Sequence, residues 1–192
     1  MARAGSGYRR FMDGKKRTLL GELSGTVVEL GSGTGPNLRY LQTGVDLIGI
    51  EPNPFMHRYF GGEARTTGLP AVQVQGLAQE LPFPDESLDG VLASLVLCSV
   101  PDVDHALGEV LRVLKPGGIF VFVEHVAAPE GSWLRRFQSW ARPIWRRIGD
   151  GCRPDRTTGE NLLRAGFLKV DIQRFSAPVP LVSPHIAGTA RK

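Results

Sequence analysis

Val27-Val28-Glu29-Leu30-Gly31-Ser32-Gly33-Thr34-Gly35-Pro36 is the stretch from which the rest of the chain is read. A short apolar run bounded by turn residues predicts a buried strand. Glycines at alternate positions predict a tight turn where a ligand can lie against bare backbone. Pro36 suits the first position of a following helix, where an N–H has no intrahelical partner, and the reading starts that helix at Asn37–Leu41. Strand, glycine turn and helix in this order form the first βα unit of an open α/β sheet, where nucleotide-like ligands sit.

The spacing discriminates among such ligands. A dinucleotide site wants G-x-G-x-x-G. Gly31 and Gly33 fit it, but Pro36 takes the last position and Gly35 falls one place early. No Walker lysine follows, so a phosphate-cradling loop is excluded. The E-x-G-x-G-x-G form of Glu29–Gly35 instead resembles motif I of class I S-adenosylmethionine (SAM) methyltransferases. Leu47-Ile48-Gly49-Ile50 reads as strand two and ends in Glu51, 20 positions after Gly31. A carboxylate there can accept hydrogen bonds from both ribose hydroxyls. The expected cofactor residues around these motifs are Glu29, Gly31, Ser32, Gly33, Thr34, Gly35, Asn37, Glu51 and Pro52.

Composition sets the outer bounds. With 192 residues, 42% hydrophobic and 22% charged, the chain reads as one domain, 1–192, with a full core. Residues 1–23 form an N-terminal arm and helix in this reading, and 129–150 a cap-like helical insertion. No run approaches the ~18 apolar residues of a membrane span. Arg9, Arg10, Lys15, Lys16 and Arg17 interrupt any signal-peptide core. Cys98 and Cys152 are too few for a disulfide framework or a zinc site, so no metal is expected and a reducing cytoplasm is the simplest home. Peripheral membrane association stays open. The net charge of +4 permits an anionic partner without naming one; nucleic acid is not expected.

Taken in order, residues 8–23 predict a helix at the sheet edge or over the cofactor, with Met1–Gly7 loose. Asn53 caps and Pro54 opens a helix carrying Phe55, Tyr59 and Phe60 inward. Gly61-Gly62 and Thr66–Gly68 weaken its end. Ala71–Gln75 is strand three and Gly90–Leu97 strand four. Asp89, between them, reads as a turn or sheet-edge residue. Val103, Leu107, Val110, Leu111 and Leu114 keep helical spacing. Lys115–Gly118 stops that helix and Ile119–Val123 is strand five. Residues 132–148 carry Trp133, Phe137, Trp140, Ile144 and Ile148 on one face, with Pro143 expected to kink the helix. Thr157–Ala165 is a further helix, and Lys169–Phe175 and His185–Ala190 are the last strands.

Within this frame, Gly76–Phe83 resembles the adenine loop of ubiquinone/menaquinone-type methyltransferases, although Leu77 stands where those carry an aspartate. The resemblance assigns adenine to Leu77, Ala78 and Gln79. Leu95–Val100 (LVLCSV), Glu109-Val110 with Arg112–Leu114, Pro116–Gly118, Glu124–Ala128 (EHVAA), Asp150–Cys152 and Pro184–Ile186 narrow the match further. They resemble the mammalian microsomal alkyl-thiol S-methyltransferases (the methyltransferase-like 7 group), over roughly residues 12–192. Those proteins carry an N-terminal hydrophobic anchor that this chain lacks, so a membrane location does not transfer. The resemblance implies a Rossmann-like α/β fold, sheet order 3-2-1-4-5-7-6, with strand seven antiparallel and helices on both faces.

Methyl transfer from a sulfonium is an in-line displacement needing an aligned lone pair within about 3–3.5 Å. An alkyl thiol, with a pKa near 8.5, is already a few per cent thiolate at neutral pH, whereas an alcohol needs a true base. Residues beyond the carboxyl ends of strands four and five line the crevice. Leu95, Val96 and Cys98 are expected against the cofactor. Ser99, Trp133, Phe137, Asp150 and Cys152 are expected around the acceptor, with His125 and His185 as catalytic candidates. The 132–148 helix reads as a lid whose aromatic face is needed in the core, or as an interfacial element. Three functions stay open: methylation of a small apolar thiol, N- or O-methylation of a lipid or quinone-type molecule, and a non-catalytic SAM- or nucleic-acid-binding module.

Overall fold

A computed structural model describes residues 6–192. Its elements are α1 (Ser6–Leu20), β1 (Gly25–Leu30), β2 (Val45–Ile50), α2 (His57–Thr67), β3 (Ala71–Val74), β4 (Leu88–Ser94), α3 (Val103–Val113), β5 (Leu114–His125), α4 (Trp133–Ile148), α5 (Thr158–Arg164), β6 (Lys169–Ser176) and β7 (Pro184–Arg191). The seven strands form one sheet in the order β3-β2-β1-β4-β5-β7-β6. β1 pairs in parallel with β2 and β4, and β5 continues the parallel run. β7 is antiparallel to both its neighbours, and sets His185 opposite His125. This is the expected topology. Among the described residues, no helix is long and apolar enough to cross a membrane.

Both faces of the central strands are covered, which is why they read as continuous apolar runs. Val28, Leu30, Phe120 and Phe122 pack with α3 and α5 residues such as Leu107, Val110 and Leu162. Val27, Ile119, Val121 and Val123 pack on the other face with Met12 and Leu20 of α1 and Phe60 of α2. α3 is capped by Asp102, whose carboxylate accepts from the His105 N–H at 3.0 Å. Asp89 serves the sheet edge: it accepts from the Thr26 N–H and pairs with Lys115.

Several local readings change. The helix expected after Pro36 is a single 3-10 turn, Leu38–Tyr40, because Leu41 is already extended and Gly44 turns the chain into β2 at Val45. The segment after Asn53 opens as a 3-10 turn, Pro54–Met56, before α2 begins. Its inward face is Phe60 and Ala64; Phe55 is 75% exposed and Tyr59 about half exposed, with Arg58 over the Tyr59 ring. Strand four ends at Ser94, since Leu95 takes a left-handed conformation (φ 58°) and the chain turns. Most of the arm expected to be loose, Met1–Gly7, lies outside the described residues, and α1 starts at Ser6.

Candidate functional site

The carboxyl ends of β1, β2, β4 and β5 converge where the strand order reverses between β1 and β4, the position at which open α/β sheets bind ligands. The glycines of the first turn serve different purposes. Gly31 (φ 59°) lies against Val96, whose Cγ2 an added Cβ would overlap. At Gly33 (φ 54°) an added Cβ would meet nothing nearer than the Gly31 carbonyl at 4.0 Å, so bare backbone faces open space. Thr34 is partly buried and Gly35 and Ser32 are buried. Gln73, on β3, donates to Ser32 Oγ at 2.7 Å and to the Gly33 carbonyl at 2.9 Å, propping the turn from beneath.

Glu51 reaches the same turn. One carboxylate oxygen accepts from the Gly33 N–H and the other from the Asn53 N–H, each at 3.0 Å. A carboxylate has about four acceptor sites, so two remain for hydroxyl donors. Pro52 is exposed beside it. Glu29 is fully buried at the end of β1; Asn37 Nδ2 donates to its Oε1 at 2.5 Å, and its Oε2 has no partner. Burial pushes its carboxyl up to about 7, against the pull of Asn37 and Lys16. Lys16 Nζ donates to Asn37 Oδ1 at 2.7 Å and Ser94 Oγ at 3.0 Å, and burial pulls it down to about 8. α1 thus closes this edge through a buried lysine that lay unread within its run of basic residues. Leu77 is exposed and Ala78 and Gln79 are partly buried in the loop after β3, beside a depression of about 450 Å³ shared with His105 and Glu109.

The β4–β5–β7 side is built from side chains. Glu124 Oε1 accepts from the Val96 and Leu97 N–H groups at 2.9 and 3.1 Å, holding the turn that Leu95 begins. Burial raises this carboxyl to about 7, and its Oε2 has no partner. Cys98 and Cys152 are both buried and free. His125 Nε2 lies 3.1 Å from Cys152 Sγ, the Trp145 indole N–H donates to the same sulfur at 3.3 Å, and His125 Nδ1 is buried without a partner. The Cys98 hydrogen bond, then His125 and Trp145, hold the Cys152 thiol well below its ordinary range; that same bond and burial push Cys98 up. Ser99 Oγ lies 3.8 Å from Cys98 Sγ. Asp150 is exposed with φ 48°.

His185 sits opposite His125 but is fully engaged. Its Nδ1 faces the Ser183 carbonyl at 3.1 Å and must donate, so Nε2 accepts from the Tyr8 hydroxyl at 3.1 Å. Burial pulls the ring down to about 4 and raises the Tyr8 phenol. No ring nitrogen is left over for an acceptor in this geometry.

α4 reverses the sequence reading. Trp133 and Trp140 are 77% and 71% exposed, Phe137 is 44% exposed, and Ile144 and Ile148 face solvent too. The aromatic stripe is therefore not part of the core. The helix docks by its other face. Gln138 is fully buried, accepting from the Ala128 N–H at 2.8 Å and donating to the Leu181 carbonyl at 3.0 Å. Arg135 donates to the Asp155 carbonyl, and Arg142 pairs with the Asp155 carboxylate. These polar contacts, and not the apolar stripe, join the helix to the rest of the protein.

Residues 28–122 match the family model described as a methyltransferase domain. The chain is 36% identical to human thiol S-methyltransferase TMT1B and 37% identical to human TMT1A, covering 95% and 96% of this chain and 80% and 81% of those proteins. Its fold superposes on geranyl diphosphate methyltransferase in complex with SAM with a TM-score of 0.76 at 15% identity, covering 98% of this chain and 91% of that one. The open cradle at Gly33, the two spare acceptor positions on Glu51 and the orphaned Glu29 Oε2 suit a ligand with a ribose and an ammonium group, and S-adenosyl-L-methionine is the cofactor. The chain belongs to the thiol S-methyltransferase family of class I SAM-dependent methyltransferases.

Proposed function

We propose that the protein S-methylates small, fairly apolar thiols. The observation that carries this reading is the near full-length similarity to thiol S-methyltransferases, which includes the segments that build the β4–β5–β7 side. The chemistry of that side supports it. An alcohol acceptor needs a strong general base, whereas the groups gathered here are two sulfurs, an imidazole and the Glu124 carboxyl held near 7, sufficient for an acceptor that ionises near neutrality.

Glu51 would hold the ribose hydroxyls, and the Gly31–Gly35 backbone would carry the amino-acid portion, with Glu29 Oε2 accepting from the α-ammonium. Ala78 and Gln79 would meet the adenine. When bound, the cofactor supplies an electrophilic methyl group on a sulfonium. Cys98, His125 and Cys152 would orient the acceptor sulfur, and Glu124 would fix the Leu95–Cys98 turn against which both ligands lie. Tyr8 and His185 would position β7 and α1 rather than move protons.

The test supplies SAM with a small alkyl thiol, its matched alcohol and its matched amine, and identifies products by mass. The expected product is the methyl thioether alone. Methylation of the amine or alcohol with the thiol untouched would overturn the reading.

A further inference from the structure

We propose that Cys98, His125 and Cys152 form a three-ligand zinc site whose open fourth position takes the sulfur of the acceptor. This rests on the thiol-acceptor reading above. The three ligand atoms lie within 4.8 Å of one another although the histidine and Cys152 are 27 residues apart in the chain. In a tetrahedral zinc site, Zn–S bonds of about 2.3 Å and Zn–N bonds of about 2.0–2.1 Å put neighbouring ligand atoms roughly 3.5–3.8 Å apart. The observed 3.1 Å between His125 Nε2 and Cys152 Sγ needs to open by only about half an ångström to reach that range.

The residues are poorly satisfied without an ion. Nε2 of His125 faces sulfur, a weak hydrogen-bonding partner, and Nδ1 faces none. A buried imidazole in that state is costly, and a metal bond on Nε2 relieves it. The Trp145 N–H donating to Cys152 Sγ is the outer hydrogen bond that a metal-bound thiolate takes. The charges also close: two thiolates, a neutral imidazole and Zn²⁺ sum to zero, which suits a place where each side chain is about 1% exposed. Thiolate and imidazole donors without a carboxylate favour zinc over harder cations. Two cysteines, one histidine and a vacant fourth position make a catalytic donor set; a structural site closes all four.

Such an ion answers the chemical need of the reaction. A thiol that coordinates zinc loses its proton outright, and the proton goes to solvent. Its sulfur lone pair then forms the new bond to the methyl carbon as the old carbon–sulfonium bond breaks. That bonding pair stays on the cofactor sulfur, so the cation becomes a neutral thioether. The product is a second neutral thioether, a poorer ligand that leaves the ion. Cys98 follows β4 and His125 ends β5, so the cluster lies at the edge where the acceptor is expected.

The experiment measures zinc by elemental analysis in protein purified without chelator, then titrates zinc alone into chelator-treated protein. About one zinc per chain is expected, falling at least tenfold in Cys152→Ser and in Cys98→Ser, while native circular dichroism and an unchanged melting profile in both variants report folding. In the cobalt-substituted protein, adding a small alkyl thiol should change the thiolate-to-cobalt absorption. Thiol methylation should be lost on chelation and return with zinc. Absence of zinc binding by folded wild type, a cobalt spectrum indifferent to thiol, or undiminished thiol methylation in zinc-free protein would each overturn the proposal. Methylation that persists without zinc would leave the thiol reading standing, whereas stoichiometric zinc with only alcohol or amine methylated would sink that reading and, with it, the fourth-position role.

Discussion

On the β1–β2 side of the switch point, the groups assigned to the cofactor fall mostly within residues 29–51, and much of what they offer is backbone. On the β4–β5–β7 side, Cys98, His125, Cys152 and His185 arrive from four separate segments, and what they offer is side-chain chemistry. The first region needs a short sequence with a particular local geometry, so glycine spacing and a terminal carboxylate announce it. The second exists only after the sheet order, the antiparallel return of β7 and the docking of α4 have brought distant residues together. Mutations should therefore separate them: changes in the glycine turn and at Glu51 weaken or abolish cofactor binding, and changes at His125 and Cys152 spare it.

The largest expected effect breaks the first side. Gly33→Val places a β-branched residue at φ 54°, which costs about 1–2 kcal/mol in the backbone alone, and puts its side chain into the cradle. SAM binding should become undetectable by calorimetry while circular dichroism remains native. Retained affinity would mean that the glycine turn does not carry the cofactor. Next comes Glu51→Ala, expected to weaken SAM binding by about 1.5–3 kcal/mol, roughly ten- to a hundredfold, the range for hydrogen bonds to a charged group. An unchanged dissociation constant in a folded variant would remove Glu51 from the site.

A smaller effect sharpens the comparison through protons. Glu29 titrates near 7 in the folded protein because it is buried, above its ordinary value of 4.5. Free protein therefore takes up a proton on folding between those values, and the stability this contributes is lost as pH rises through 7. An ammonium on Oε2 requires the ionised form, so SAM binding releases the proton at low pH. Affinity should fall about tenfold from pH 8 to pH 6. In Glu29→Gln the affinity is lower and this slope flattens. A wild-type affinity flat across that range would place the ammonium elsewhere.

How much could be read beforehand follows the same division. Glu29, the glycines and Glu51 were legible because each residue type is demanded by its place in one βα unit. The sheet order followed from the resemblance that the later segments carry. The sulfur–imidazole cluster was not legible: with only two cysteines and no close pair, spacing argued against a metal, and only the fold adds His125 as a third ligand. Lys16 was hidden because α1 carries several basic residues, and nothing in their order tells which one is buried. α4 misled most. Helical spacing of Trp133, Phe137, Trp140, Ile144 and Ile148 marks a face, but periodicity does not say which face meets the protein.

That helix supplies the smallest expected effect, and a sharp one. Had the aromatic face been core, Trp→Ala would cost about 3–5 kcal/mol. With Trp140 71% exposed, Trp140→Ser should change stability by no more than about 0.5 kcal/mol, the usual scale for a surface substitution. Gln138→Ala on the opposite face should cost more, about 1–3 kcal/mol, because it leaves the buried Ala128 N–H and Leu181 carbonyl without their partner. Paired denaturant unfolding of the two variants reads the difference directly. SAM affinity should stay within twofold in both, since neither residue touches the glycine turn or Glu51. If Trp140→Ser proves the more destabilising of the two, α4 packs the other way round, and the aromatic stripe returns to the acceptor side as the lid that its sequence first suggested.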